Sequence, residues 1–210
     1  LSFGYSGFSI AWLTWGTIGH VVLWTPLILY VIDELVQIRF TITGIKFHAL
    51  SFFLLSLFFF QVSAGHIQVA VYCMILELLY AVYMTGTLKL QFKEKYLRFA
   101  GVFFVFVVFL IVSFFVWFPL LQEILSSVRT GDPNAWNIPG WFLPFRNLIQ
   151  FLIPDFFGNP ATMNYFGIWN YGEFIGYICI FPMLAVTFSI YLMRKTWFWW
   201  VCLMGSLVFA

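Results

Sequence analysis

The stretch Phe99-Ala-Gly-Val-Phe-Phe-Val-Phe-Val-Val-Phe-Leu-Ile-Val-Ser-Phe-Phe-Val-Trp-Phe-Pro-Leu120 decides the fold class, because no charged or amide side chain interrupts it. A membrane-crossing helix needs roughly 20 predominantly apolar residues, and this run supplies them. The rest of the chain agrees. Apolar residues make up 63% of the 210 and charged residues 9%, with Phe alone occurring 29 times. Soluble proteins carry roughly 25% charged residues. A soluble domain needs a polar skin over its core, and this chain lacks the material for one. A soluble enzyme, a disordered chain and a nucleic-acid binder are thereby excluded. Backbone groups in lipid are satisfied only within helices or closed barrels, and runs this long suit helices, so the expected class is an all-α polytopic transmembrane bundle.

Further runs of spanning length set the organisation, as one membrane domain over residues 1–210. They cover about 8–32, 45–62, 66–85, 99–120 and 174–193, with a truncated sixth at 197–210. The first is interrupted by Gly16, Gly19, His20 and Pro26, so its early half reads equally as a short surface helix with the span starting near His20. The chain opens on Leu1 without a basic signal-type region and closes on a short apolar stretch, which predicts an internal piece of a longer protein. Cys73, Cys179 and Cys202 lie in apolar runs, odd in number and without paired spacing, and predict neither disulfides nor a metal site.

Lys and Arg placement gives orientation. Arg39, Lys46, Lys89, Lys93, Lys95, Arg98, Arg194 and Lys195 fall in alternate connections, while the others hold only Arg129 and Arg146. The eight mark the cytoplasmic side of a multi-pass cell-membrane protein. The N-terminal end, the Ser63–His66 turn and segment 122–170 then face outside. Trp12, Trp15, Trp136, Trp141 and Trp169 fall at the outer boundary, and Trp197, Trp199 and Trp200 at the inner one, where amphipathic rings settle.

Segment 122–170 is too long for a passive connection. Its part Trp141-Phe-Leu-Pro-Phe-Arg-Asn-Leu-Ile-Gln-Phe-Leu-Ile-Pro154 is apolar but broken by Pro144 and Pro154, which predicts a short interfacial helix. Asp155-Phe-Phe-Gly-Asn-Pro160 predicts a turn, with Gly158 supplying a positive φ. Aromatic faces stack on sugar rings, and amides and carboxylates bond to hydroxyls, so the segment suits a carbohydrate or lipid headgroup; a structural lid is the plain alternative. The candidate cavity wall comprises His66, Gln68, Arg129, Arg146, Asp155, Asn159, Tyr171 and Glu173. His66 reads either as a helix cap or as a donor to phosphate. Arg129 and Arg146 read either as exposed ion pairs or as phosphate ligands.

Glu77 lies inside the third span, where a carboxyl is costly and points to function by default. Helical spacing puts Ala70, Cys73, Glu77, Tyr80, Ala81 and Met84 on one inward face. A structural hydrogen bond to another helix and proton or substrate handling are both open for it. Asp33-Glu34 at a helix end reads as an interfacial charge pair. No phosphate-binding loop, HExxH pattern or Ser-His-Asp arrangement is present.

Ser63-Ala-Gly-His-Ile-Gln68 resembles the Gly-His-x-Gln turn of YfhO-like bacterial membrane proteins. Ile153-Pro-Asp-Phe-Phe-Gly-Asn-Pro-Ala-Thr162 is similar to their Pro-x-Phe-Phe-Gly segment. Glu173-Phe-Ile-Gly-Tyr-Ile-Cys-Ile-Phe-Pro-Met-Leu-Ala185 and Trp24-Thr-Pro-Leu-Ile-Leu-Tyr30 resemble two of their spans, although Ile67 stands where Pro is frequent. The resemblance covers about residues 12–195. It implies a GT-C type glycosyltransferase that moves a sugar from a polyprenyl-phosphate carrier onto an extracytoplasmic cell-envelope acceptor. It also implies a catalytic acidic residue in a first outer loop. Leu1 to Ser9 holds no such Asp, so the catalytic base is expected upstream, and Asp155 and Glu173 are expected to wall the cavity. No cofactor is evident, and a divalent metal is left open. A transporter or lipid flippase is the alternative that Glu77 and the interrupted spans suggest.

Overall fold

The computed structural model describes residues 3–13, 15–38, 44–127 and 142–209. Arg39, Arg129, Trp136 and Trp141 lie outside the described residues. In chain order the helices are α1 (Gly7–Leu13), α2 (Ile18–Leu23), α3 (Thr25–Gln37), α4 (Ile45–Ser63), α5 (Ile67–Thr87), α6 (Phe92–Val112) and α7 (Phe114–Ser126). After these come a 3-10 helix Phe145–Phe151, then α8 (Tyr171–Phe174), α9 (Ile180–Ser189) and α10 (Met193–Phe209). No strand occurs among the described residues. Among the described residues, four helices are long and apolar enough to cross a membrane: Ile18–Gln37 (α2 with α3), Ile45–Ser63, Ile67–Thr87 and Phe92–Val112. The chain divides into two compact units, one of residues His20–Ser126 and one of Leu1–Gly19 with Ser127–Ala210.

In the first unit α3, α4, α5 and α6 pack on one another. Their shared core holds Ile28, Ile32, Leu54, Phe58, Ala81 and Phe109, each essentially inaccessible. The Phe58 ring meets Phe106 edge to face and Phe109 at a tilt, with centroids 5.7 and 5.3 Å away. Phe52, Phe53, Phe103 and Phe104 point outward on the same helices, as lipid-facing side chains do. The basic end is tied by its own charges. Arg98 Nη1 donates to the Val36 and Gln37 carbonyls at 2.7 and 2.6 Å, satisfying the end of α3. Lys95 Nζ donates to the Gly86 carbonyl at 2.7 Å, and Lys46 pairs with Glu34 at 3.5 Å.

Three segments differ from the sequence expectation in instructive ways. The helix expected over 99–120 starts at Phe92, because a charged turn continues the α-helix beyond its apolar part. It stops at Val112, where the Ser113 hydroxyl bonds back to the Phe109 carbonyl at 2.7 Å, a habit that bends helices. Trp117 Nε1 donates to the Leu110 carbonyl at 2.9 Å across that break. The segment expected as one span over 174–193 is α8, an extended stretch, and α9, of only ten residues. The cause is local. Cys179 takes φ 74°, a left-handed conformation that ends any helix, and the Tyr177 carbonyl accepts from Gly7 N at 2.7 Å. The apolar tail expected from 197 begins its helix at Met193, and α10 runs seventeen residues.

In the second unit α1 packs on α8, with Trp12 Nε1 donating to the Gly172 carbonyl at 3.1 Å. The residues between Pro144 and Pro154 form the 3-10 helix, whose inner face is amide rather than apolar. Asn147 Nδ2 donates to Gln150 Oε1 at 2.9 Å, and Gln150 Nε2 to the Pro154 carbonyl at 3.3 Å. Gly176 lies directly beneath the Phe151 ring, which would collide with any Cβ there.

Candidate functional site

Two polar centres are built from these elements, one in each unit. The first grows from Glu77, half-way along α5. Gln61 Nε2, near the end of α4, donates to Glu77 Oε1 at 2.9 Å and to Thr25 Oγ1, at the start of α3, at 3.2 Å. Gln61 and Glu77 are both 0% exposed, and Thr25 is buried. Gln61 Oε1 and Glu77 Oε2 have no partner although both are buried. Around them α5 buries Ala70 and Ala81 and half-buries Cys73, Tyr80 and Met84, while Val71, Ile75, Leu79 and Val82 face outward. A carboxyl, an amide and a hydroxyl from three different helices therefore meet inside an otherwise mainly apolar core.

The second centre grows from the turn after Pro154. Gly158 takes φ 80° and its N–H closes on the Asp155 carbonyl at 2.9 Å. A Cβ on Gly158 would strike the Asn164 backbone carbonyl, so the turn requires glycine. Asn164 Oδ1 accepts from Asn159 N at 2.9 Å and from the Thr162 hydroxyl at 2.7 Å, which fixes the following loop. On this frame Asp155 Oδ1 accepts from Asn159 Nδ2 at 3.0 Å and from the Tyr171 hydroxyl at 2.7 Å. The Tyr171 and Tyr165 rings meet edge to face, with centroids 5.7 Å apart. Arg146 stands over the Phe157 ring, its Cζ 5.9 Å from the centroid. Burial and the Asp155 carboxylate hold the Tyr171 phenol protonated well above its ordinary range. Burial likewise raises Tyr165, with Arg146 opposing it.

The expected wall residues thus divide. Arg146, Asp155, Asn159 and Tyr171 lie in one unit, whereas His66 and Gln68 belong to the other, with Glu77. His66 is the cap of α5, its Nδ1 accepting from Val69 N at 3.4 Å, and burial lowers its imidazole pKa. Gln68 Nε2 donates to the Tyr72 hydroxyl at 3.0 Å on an exposed face. Arg129 lies outside the described residues. Glu173 does not join the Asp155 cluster. It lines a cleft of about 360 Å³ with Phe8, Phe151, Phe174, Leu203 and Leu207, and burial raises its carboxyl pKa. Sequence reasoning missed Thr25 and Gln61 as partners of Glu77, although a glutamine closing a Phe-rich span was a visible signal. Among the described residues no group of His, Cys, Asp and Glu is arranged to hold a metal ion.

Comparison with protein-family profiles, with curated proteins and with solved structures finds no match to this chain.

Proposed function

We propose that the chain is part of a membrane glycosyltransferase that transfers a sugar from a polyprenyl-phosphate carrier to an extracytoplasmic acceptor. In this reading segment 122–170 lies on the outer side and walls the cavity. The observation that carries it is the Asp155 carboxylate held by Tyr171 and Asn159, with the Tyr165 ring edge-on to Tyr171 and the Arg146 guanidinium over the Phe157 ring in the same unit. An oriented carboxylate accepts sugar hydroxyls, ring faces stack on the pyranose, and a guanidinium matches phosphate oxygens. The resemblance to YfhO-like proteins supports the same reading, and Asp155 serves there as wall and not as base. The test is transfer by the whole protein from a polyprenyl-phosphate-linked sugar in liposomes. Asp155→Ala together with Tyr171→Phe lowers carrier binding about tenfold or more, as the loss of two charge-assisted contacts predicts. Bound carrier without transfer to any acceptor overturns the proposal.

A second reading, a transporter or lipid flippase, is supported by the interrupted span Ile18–Gln37 and the buried Glu77. Carrier-independent translocation of a lipid by the reconstituted protein would favour it.

A further inference from the structure

The polar centre among α3, α4 and α5 is unbalanced in a specific way. Gln61 uses its amide nitrogen on both Glu77 and Thr25, which leaves two buried oxygens, Gln61 Oε1 and Glu77 Oε2, without a donor. Both atoms only accept while Glu77 is a carboxylate, so they call for a donor or a cation rather than for another acceptor. No charged donor faces them among the described residues. From α3 the facing group is the Thr25 hydroxyl, from α4 the Gln61 amide, and from the preceding turn of α5 the Cys73 thiol. The buried residues of α6 in this core are Gly101, Val102, Val105 and Phe109. The charged residues of these helices, Asp33, Glu34, Lys46, Lys93, Glu94, Lys95 and Arg98, sit at or near helix ends.

The backbone beside Thr25 is unbalanced as well. The span Ile18–Gln37 breaks between Leu23 and Thr25, and Pro26 has no N–H for the Val22 carbonyl that an unbroken helix would serve. Trp24 keeps helical dihedrals, so the backbone runs on as a kinked helix, and a carbonyl freed at such a kink is open to a donor or a cation.

We propose that Glu77, Gln61 and Thr25 form a binding site for a sodium-like monovalent cation within the four-helix unit. The ion takes Glu77 Oε2 and Gln61 Oε1 as ligands, the two oxygens that lack partners, with the Thr25 hydroxyl oxygen beside them. One carboxylate neutralises one positive charge; a divalent ion would leave a net charge buried, which is costly. The site stands on the intramembrane residues alone and does not depend on the glycosyltransferase reading.

The test is thermal unfolding of the full chain in detergent at pH 7.5, in sodium, potassium or choline chloride at one ionic strength. Sodium raises the wild-type Tm by about 3–6 °C over choline at a tenfold excess over Kd, and the shift goes on rising with the logarithm of the sodium concentration. Glu77→Gln and Thr25→Val abolish or sharply weaken that shift. Should Glu77→Gln not fold, the Thr25→Val titration and binding of radioactive sodium to the wild type decide the matter. Equal Tm in all three salts overturns the proposal, as does an undiminished sodium shift in a folded Glu77→Gln. A shift reproduced by lower pH in choline, with no sodium response, identifies a proton as the only occupant and also overturns it.

Discussion

Glu77 and Asp155 are held by the same kinds of group in the two units. Each accepts from a side-chain amide, Gln61 in one and Asn159 in the other, and each has a hydroxyl in its cluster, Thr25 or Tyr171. Their surroundings are opposite. The Glu77 partners come from two other helices, and the carboxyl is wholly buried. Asp155 is exposed, its amide partner is four residues away, and the neighbouring loop is braced by its own side chains. The same chemistry therefore fixes helix-to-helix register in one place and shapes a solvent-accessible turn in the other.

The largest expected effect tests that contrast directly. Glu77→Ala removes a buried acceptor and leaves a hole, costing about 2–4 kcal/mol by denaturant unfolding in detergent. Glu77→Gln stays within about 1 kcal/mol, because the new amide can donate to the unpartnered Gln61 Oε1. Asp155→Ala costs less than about 1 kcal/mol, as exposed hydrogen bonds do. A cost for Asp155→Ala equal to that of Glu77→Ala would erase the distinction between the two centres.

The next effect concerns the ends of the four-helix unit. Arg98→Met removes two charge-assisted bonds to the last carbonyls of α3 and costs about 1–3 kcal/mol. Hydrogen exchange should then quicken at Leu35, Val36 and Gln37 while the centre of α5 keeps its protection. Unchanged exchange at these three amides would show that α3 ends without help from α6.

How much of this was legible in the sequence follows from which forces act locally. The runs that became α4 and α5 announced themselves by apolar composition, since lipid requires little else of a spanning helix. The start of α6 at Phe92 did not, because Lys93, Glu94, Lys95 and Arg98 end the apolar pattern while the backbone continues as helix. The division of 174–193 into α8 and α9 depends on a positive φ at Cys179, a residue type that gives no warning of it. Among site residues, Asp155 and Asn159 were readable because Gly158 and Pro160 fix their turn locally. The pairing of Glu77 with Gln61 was not, because the angle and depth at which α4 meets α5 set it, and neither leaves a mark in composition.

The smallest effect distinguishes Glu173 from both carboxyls above. Burial raises its pKa in the folded chain, so the folded state binds a proton more tightly than the unfolded one. Stability contributed by this group is present at low pH and is lost as pH rises from about 4.3, the ordinary glutamate value, through the raised folded value. Glu173→Gln should flatten that part of the stability–pH curve, measured by thermal unfolding between pH 4 and 7, and slightly raise Tm at neutral pH. An unchanged curve would show that the carboxyl is as well solvated in the fold as outside it.

The Phe151 ring over Gly176 has an evolutionary consequence. A notch with no side chain and the ring that fills it behave as a single inherited character. Either residue altered alone produces a collision or an empty space, so sequences descended from a common ancestor with this chain should change both positions together or neither. A bulkier residue at 176 would then travel with a smaller one at 151, and that pairing would identify distant kin whose overall similarity has faded.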